Sequence, residues 1–381
     1  MVRACVLFVV SVVVLDGSPI AAQSASSQTR TLTSRRASSA SNTPGITPAV
    51  GVDVLLHGDW HRGLRLIQSH SESLLITRDG WLHTVPRSEE GSRIRVTNRA
   101  FSAIPASELR QRLRAEFGSR FEVVATKHFL VVQPRGRGKR WPDMFERCHR
   151  SFVGTMDDLG VHVRKGRFPM VAVVFPDARA MYQEFDRLDI SVGRVSGLYA
   201  NRCNRVMTHD GGHLQQIAAT VRHEAAHQSA FNTGVHSRVN DTPSWLSEGL
   251  GQLFEPASMA EGHAGSTLTQ RINRESMQHI ASKFSLRSPS ELAPFLDQLI
   301  AGDAMFQNPS TVHTAYSISW AMVFYLTERN RKALADMLNH TASRSPFEDY
   351  RAGQRRIDFQ RLVGDPAAFS IELTRFLSRL K

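Results

Sequence analysis

Cysteine is scarce in this chain: Cys5, Cys148 and Cys203 are all it has. Neither Cys148 nor Cys203 is spaced from the other, or from a histidine, as metal ligands are, so thiolate metal chemistry is excluded. Long apolar runs are missing too. Beyond residue 15 nothing approaches the roughly 20 apolar residues of a membrane span. Gly136-Arg137-Gly138-Lys139 is not a phosphate-binding P-loop, because the second glycine and the following Ser or Thr are absent. No RNA- or DNA-binding signature accompanies the basic residues, which excludes specific nucleic-acid recognition.

What is present is a basic chain of 381 residues, net charge +12, with 41% hydrophobic residues. That length suggests two domains, or one large domain with an appendage, and the apolar share is enough for a true core. The charge reads as a solvated surface bias that favours contact with anionic surfaces. Met1-Val2-Arg3, the apolar run Ala4–Leu15 and the small residues Ala21 to Ala25 read as a secretory signal peptide over 1–25. The mature protein is therefore expected to be secreted or periplasmic, with no transmembrane segment after cleavage. In such a compartment Cys148 and Cys203 either form a disulfide or stay buried and unpaired.

Residues 26–50, rich in Ser, Thr, Ala and Arg, read as a disordered linker. From Val52 short β-branched and aliphatic runs follow one another, with Asp79-Gly80 as a clear turn. These predict a small, barrel-like β module over 51–105. The scattered His57, His61, His70 and His83 read as surface or satisfied histidines. A short helix over 107–116, one strand over 121–132, a basic loop over 134–140 able to touch an anion, a helix over 142–159, a strand over 169–175, a helix over 178–188 and a hairpin over 197–208 form a mixed lobe. The remainder, with helices over 290–300, 315–326, 333–338 and 367–380, is helical. The fold class is α+β.

The chemistry is carried by His223-Glu224-Ala225-Ala226-His227. Two histidines at i and i+4 share one helix face and can converge on one cation. Glu224, about 100° round the helix, can reach a metal-bound water without being a ligand. Leu214, Ile217, Val221, Ala225 and Gln228 form a mostly apolar stripe opposite the imidazoles. Asn232-Thr233-Gly234 predicts the end of that helix, with Gly234 in a left-handed cap. Asp241-Thr242-Pro243 predicts the start of another, with a capping side chain and proline at the first helical position. A helix, a loop and an antiparallel helix would bring Glu248 over the histidine pair, completing a two-His, one-Glu site with an open position for Zn2+.

His-Glu-Ala-Ala-His followed by Pro243-Ser-Trp-Leu-Ser-Glu-Gly resembles the gluzincin zinc metallopeptidases. More narrowly it is similar to a bacterial peptidase-MA-like family, filed as a domain of unknown function, in which the HExxH helix precedes a P-x-W-L-x-E-G-L segment. The resemblance implies a zincin-like metallopeptidase domain over 106–381. It implies that an edge strand, Leu198–Ala200 or Arg205–Thr208, holds extended substrate by main-chain hydrogen bonds. It also implies a downstream oxyanion donor, for which Tyr316 stands first and His313 second. Gln252 departs from the pattern: several gluzincins place a carboxylate there to orient a ligand histidine, and an amide oxygen would have to serve.

The sequence thus predicts an exported zinc peptidase acting on peptide or protein substrates. His223, His227 and Glu248 are the metal ligands, and Glu224 and Tyr316 the catalytic residues. The competing expectation is a non-catalytic, zinc-stabilised envelope protein whose basic surface binds an anionic partner.

Overall fold

The computed structural model describes residues 50–260 and 266–380. The predicted signal peptide lies outside them, as does the linker apart from Val50, which already belongs to a strand. The structure is mixed α and β, with two five-stranded sheets and a helical C-terminal part.

The first sheet comprises β1 (Val50–Leu56), β2 (Asp59–Gln68), β3 (Glu72–Thr77), β4 (Leu82–Pro86) and β5 (Ile94–Val96). Every adjacent pair is antiparallel, in the order β4-β3-β2-β1-β5. The sheet is open, so the barrel expectation is corrected: β4 and β5 end as opposite edges instead of closing on each other. Asp79-Gly80 makes the predicted turn, with Gly80 at φ 88° donating its N–H to the Thr77 carbonyl. This module docks on the next sheet. The Leu82 N–H donates to the Arg202 carbonyl at 2.8 Å, and Arg205 lies over the Trp81 ring.

The second sheet comprises β6 (Phe121–Ala125), β7 (Phe129–Pro134), β8 (Met170–Phe175), β9 (Gly197–Ala200) and β10 (Arg205–His209), in the order β6-β7-β8-β10-β9. The run expected as one strand over 121–132 is two, turned at Thr126–His128. The turn is held by Glu146, which accepts from the Thr126 hydroxyl and contacts His128 Nδ1 at 2.8 Å. An apolar run carries no trace of that distant carboxylate.

Helices cover both faces of this sheet, which is why β8 is buried along its whole length. α1 (Ala106–Phe117) and α3 (Ala178–Arg187) pack on the face of Val171, Val173 and Phe175. α2 (Arg140–Asp158) and α4 (Leu214–Thr233) pack on the face of Met170, Ala172 and Val174. The basic loop before α2 is engaged internally, Arg137 pairing with Asp210 at 2.8 Å. Cys148 and Cys203 are both free thiols in separate clusters, so the disulfide alternative fails. Burial pushes the Cys148 thiol up to about 12.

The C-terminal part contains α5 (Ser244–Leu253), α6 (Arg274–Lys283), α7 (Ala293–Ala301), α8 (Val312–Arg329), α9 (Arg331–Ser343), α10 (Ala352–Leu362) and α11 (Pro366–Ser378). α8 is buried along nearly all its length and lies at the centre of the largest hydrophobic cluster. No helix of the described residues is long and apolar enough to cross a membrane. α6 and α10 were not evident from apolar spacing. In α10 two of the three buried residues are Arg355, paired with Asp303 at 2.8 Å, and Asp358, paired with His340 at 2.9 Å. A helix face buried through ion pairs has no hydrophobic period.

α5 and α8 are pressed together at Gly249. A β-carbon there would lie 2.6 Å from a Val323 methyl and clash with the Ser319 carbonyl oxygen. Gly249→Ala should therefore destabilise the fold by about 1–3 kcal/mol, the usual cost of overpacking. A urea unfolding midpoint that does not fall would refute this contact.

Candidate metal centre

α4 is held to the sheet by its predicted inner face. Ile217, Val221, Ala225 and Phe231 pack in the cluster under β7, β8 and β10, while Leu214 is left exposed. Gln228 adds polar anchorage, its amide nitrogen donating to the Val171 carbonyl at 3.0 Å and the Asn204 carbonyl at 2.8 Å. Gly234, at φ 79°, ends the helix in the left-handed conformation expected of it. The next helix starts differently from expectation. Pro243 is its N-cap, and the Asp303 carboxylate, 59 residues on, accepts the Ser244 N–H at 2.8 Å.

With α4 fixed and α5 crossing beside it, His223, His227 and Glu248 converge. One ligand atom from each lies within 4.8 Å of the other two, the one such group of three metal-binding side chains among the described residues. The two Nε2 atoms are 2.9 Å apart, and Glu248 Oε2 is 3.4 Å from that of His223 and 3.5 Å from that of His227. All three residues are buried.

This arrangement needs a cation. His223 Nδ1 meets Glu255 Oε1 at 2.8 Å, and a carboxylate can only accept, so Nδ1 carries the hydrogen. In neutral His223 the Nε2 lone pair then points at His227. Glu248 Oε2 is buried with no hydrogen-bond partner among the described residues. Two nitrogen lone pairs and a carboxylate oxygen so crowded repel one another unless positive charge lies among them. Burial opposes charge on His223, yet the contacts with Glu248 and Glu255 outweigh it and hold its pKa at about 10. Burial likewise works against ionised Glu248, and the two imidazoles overcome it, holding the carboxyl at about 2. Space for an ion is kept by Gly251, where a β-carbon would lie 2.6 Å from His223 Nε2 and 2.9 Å from His227 Nε2.

Glu224 is fully buried on α4, its Oε2 accepting the Tyr199 N–H from β9 at 2.7 Å. That bond bears on the expected peptide-binding edge. β10 is an inner strand and cannot accept an added strand. β9 is the edge, but it is buried along its length and its outward amide at Tyr199 is taken by Glu224.

Tyr316 lies on α8, buried, with its ring edge-on to Phe306 at 5.3 Å. His313 lies by His279, ring centroids 6.1 Å apart. Neither belongs to the converging group. Gln252 does not serve the histidine: its side-chain oxygen accepts from Asn273 and Ser276, each at 2.9 Å. Glu255 takes that role, and Asn273 in turn donates to its other oxygen at 2.7 Å. Sequence reading missed Glu255 and Gly251. Glu255 lies just past the end of α5 (Ser244–Leu253), where helical spacing gives no signal for it. His236 was also missed. It is buried against Phe231, neither ring nitrogen has a hydrogen-bond partner among the described residues, and burial pushes its pKa down to about 3.

Gly251→Ala should abolish metal retention, measured by elemental analysis, while leaving the far-ultraviolet circular dichroism unchanged. Glu255→Gln should weaken metal affinity about 10–100-fold, the usual effect of removing a partner that orients a ligand histidine. Because Glu248 and Glu255 raise the pKa of His223 and a metal would compete with that proton, uptake should release a proton, and affinity should fall as pH falls. Calorimetry in buffers of different ionisation enthalpy measures that proton, and a buffer-independent heat would contradict it.

Residues 217–348, from the first turn of α4 to beyond α9, match the model of a family described as a protein of unknown function (DUF1570). A search of curated proteins finds no match to the chain.

Proposed function

We propose that this chain is an exported, zinc-dependent hydrolase of gluzincin type that cleaves peptide bonds. The observation that carries the reading is the convergence of His223, His227 and Glu248 beside a Glu224 that takes no part in the ligand group. Two nitrogens and one oxygen suit zinc better than calcium or magnesium, which take oxygen ligands. Donors on a tetrahedral zinc stand about 3.3 Å apart, close to the 2.9–3.5 Å spacings of these three atoms. A zinc ion in this place supplies a Lewis acid that acidifies water near neutral pH and polarises a carbonyl.

Around it each residue has a defined task. Glu224 takes the proton of the attacking water, on Oε1, the oxygen that is not bonded to the Tyr199 amide, and returns it to the leaving amine. The Tyr199 N–H keeps that carboxylate in place. Glu255 fixes the His223 ring so that Nε2 faces the metal. Tyr316, on the buried helix α8, remains the proposed oxyanion donor. The export reading rests on the basic and apolar start of the chain.

The near-complete burial of the ligand group and of Glu224 favours a second reading, a metal-stabilised binding protein with no turnover. The two differ at Glu224, which a purely structural site does not need. Glu224→Gln should keep stoichiometric zinc and lose about 10²–10⁴-fold in peptide cleavage, the scale of a general base. Full activity in that variant would remove Glu224 from the mechanism, and a zinc-bound wild type without chelator-sensitive cleavage would favour the second reading. His223→Ala should lose the metal, and unchanged zinc content would refute the ligand assignment.

A further inference from the structure

As the edge of the second sheet, β9 has one neighbouring strand, β10. Its Tyr199 N–H nonetheless has to stay on Glu224 Oε2, 2.7 Å away on α4. Two ties hold the strand there. In the first, the Tyr199 hydroxyl donates to Asn204 Oδ1 at 2.9 Å, and Asn204 exchanges side-chain hydrogen bonds with Asn232 of α4 at 2.7 and 3.0 Å. The second comes from Arg238, in the loop that joins α4 to α5 and so leads to Glu248.

Arg238 grips Asn201, the residue just after β9, in both directions. Its Nε donates to Asn201 Oδ1 at 2.9 Å and its Nη2 to the Asn201 carbonyl, while Asn201 Nδ2 donates back to the Arg238 carbonyl at 3.4 Å. A guanidinium is a costly group to place here. Burial pulls its pKa down, and its Nη1 is enclosed with no hydrogen-bond partner among the described residues. Apolar side chains of similar volume would steady a loop at lower cost. What the buried cation supplies in return is direction: three hydrogen bonds allow one placement of the strand end against the loop.

We propose that Arg238 is a positioning residue for Glu224, acting through Asn201 and β9. Asn201 stands two residues after Tyr199, so the clamp pins the end of the strand whose N–H aims the Glu224 carboxylate. It also ties that strand to the loop between the helix of Glu224 and the helix of Glu248, and so sets the base relative to the ligand group. With the clamp released, the edge strand loses its hold beyond Ala200, the Tyr199 bond loosens, and Glu224 Oε1 loses its aim at the attacking water. The metal ligands stay in place, because α4 is packed on the sheet and Glu255 holds His223. The role of Glu224 as base rests on the proposed hydrolase reading, and the hold on the Tyr199 amide rests on the geometry alone.

The test uses the zinc-loaded full chain and its Arg238→Gln and Asn201→Ala variants. Hydrogen exchange of the Tyr199 amide, followed by NMR, should quicken about fivefold or more in both, the scale of one lost hydrogen bond. The amides of Val173 and Met207, in inner strands, should keep their rates. For peptide cleavage kcat should fall about 10–100-fold at unchanged KM and zinc content, the scale of a small misplacement. In a Glu224→Gln background the same substitutions should cost nothing further, since the carboxylate they aim is gone. An unmoved Tyr199 amide, equal quickening throughout the sheet, or the same proportional loss of rate with and without Glu224 overturns the proposal. If Arg238→Gln fails to fold, Asn201→Ala, which keeps the backbone acceptor, decides the matter. Quickened Tyr199 exchange without any cleavage by the wild type leaves the clamp standing and removes the hydrolase reading. Wild-type cleavage that both variants retain in full does the reverse.

Discussion

Everything at the centre of this protein depends on two helices being held close enough for three electron-rich atoms to meet. α4 presents two imidazoles and α5 one carboxylate, and all three side chains are buried. Such a cluster is unfavourable by itself, and becomes favourable when a cation shares all three lone pairs. The surrounding fold supplies the force that keeps them together. On one side α4 is buried against the sheet, and on the other α5 is pressed on α8 through Gly249. Glycines 249 and 251 serve opposite faces of one helix: the first lets α8 approach, and the second keeps room at the imidazoles.

The polar groups around the cluster are arranged in layers. Glu255 holds His223, Asn273 holds Glu255 and also Gln252, and Tyr199 holds Glu224. These contacts come from segments before and after the motif, so the orientation of the ligands is a property of the whole assembly. Cross-helix bonds of this kind fix rotamers that the ligands' own helices would leave loose. The loop between the two helices is equally constrained, with His236 against Phe231 and Arg238 tied to Asn201.

Part of this was legible in the residues themselves. The helix carrying His223 and His227, its apolar stripe and its glycine stop follow from spacing alone, as does much of the order of strands and helices before it. Where the reading went astray, the cause is tertiary in each case. Glu146 splits one apolar run into two strands, and Asp303 caps a helix whose own flanking side chains do not. Arg355 and Asp358 supply two of the three buried residues of one helix, and the N-terminal strands stop short of closure. Side chains acting across long stretches of chain leave no local period to read.

The sequence by itself determined which atoms could bind a metal and on which helix face they stand, because helical periodicity is a local property of the backbone. Only the tertiary structure decided that Glu255 and not Gln252 steadies His223, that β9 spends an outward amide on Glu224, and that Arg238 is tied to Asn201. These depend on distances between segments far apart in the chain, and such distances are set by packing.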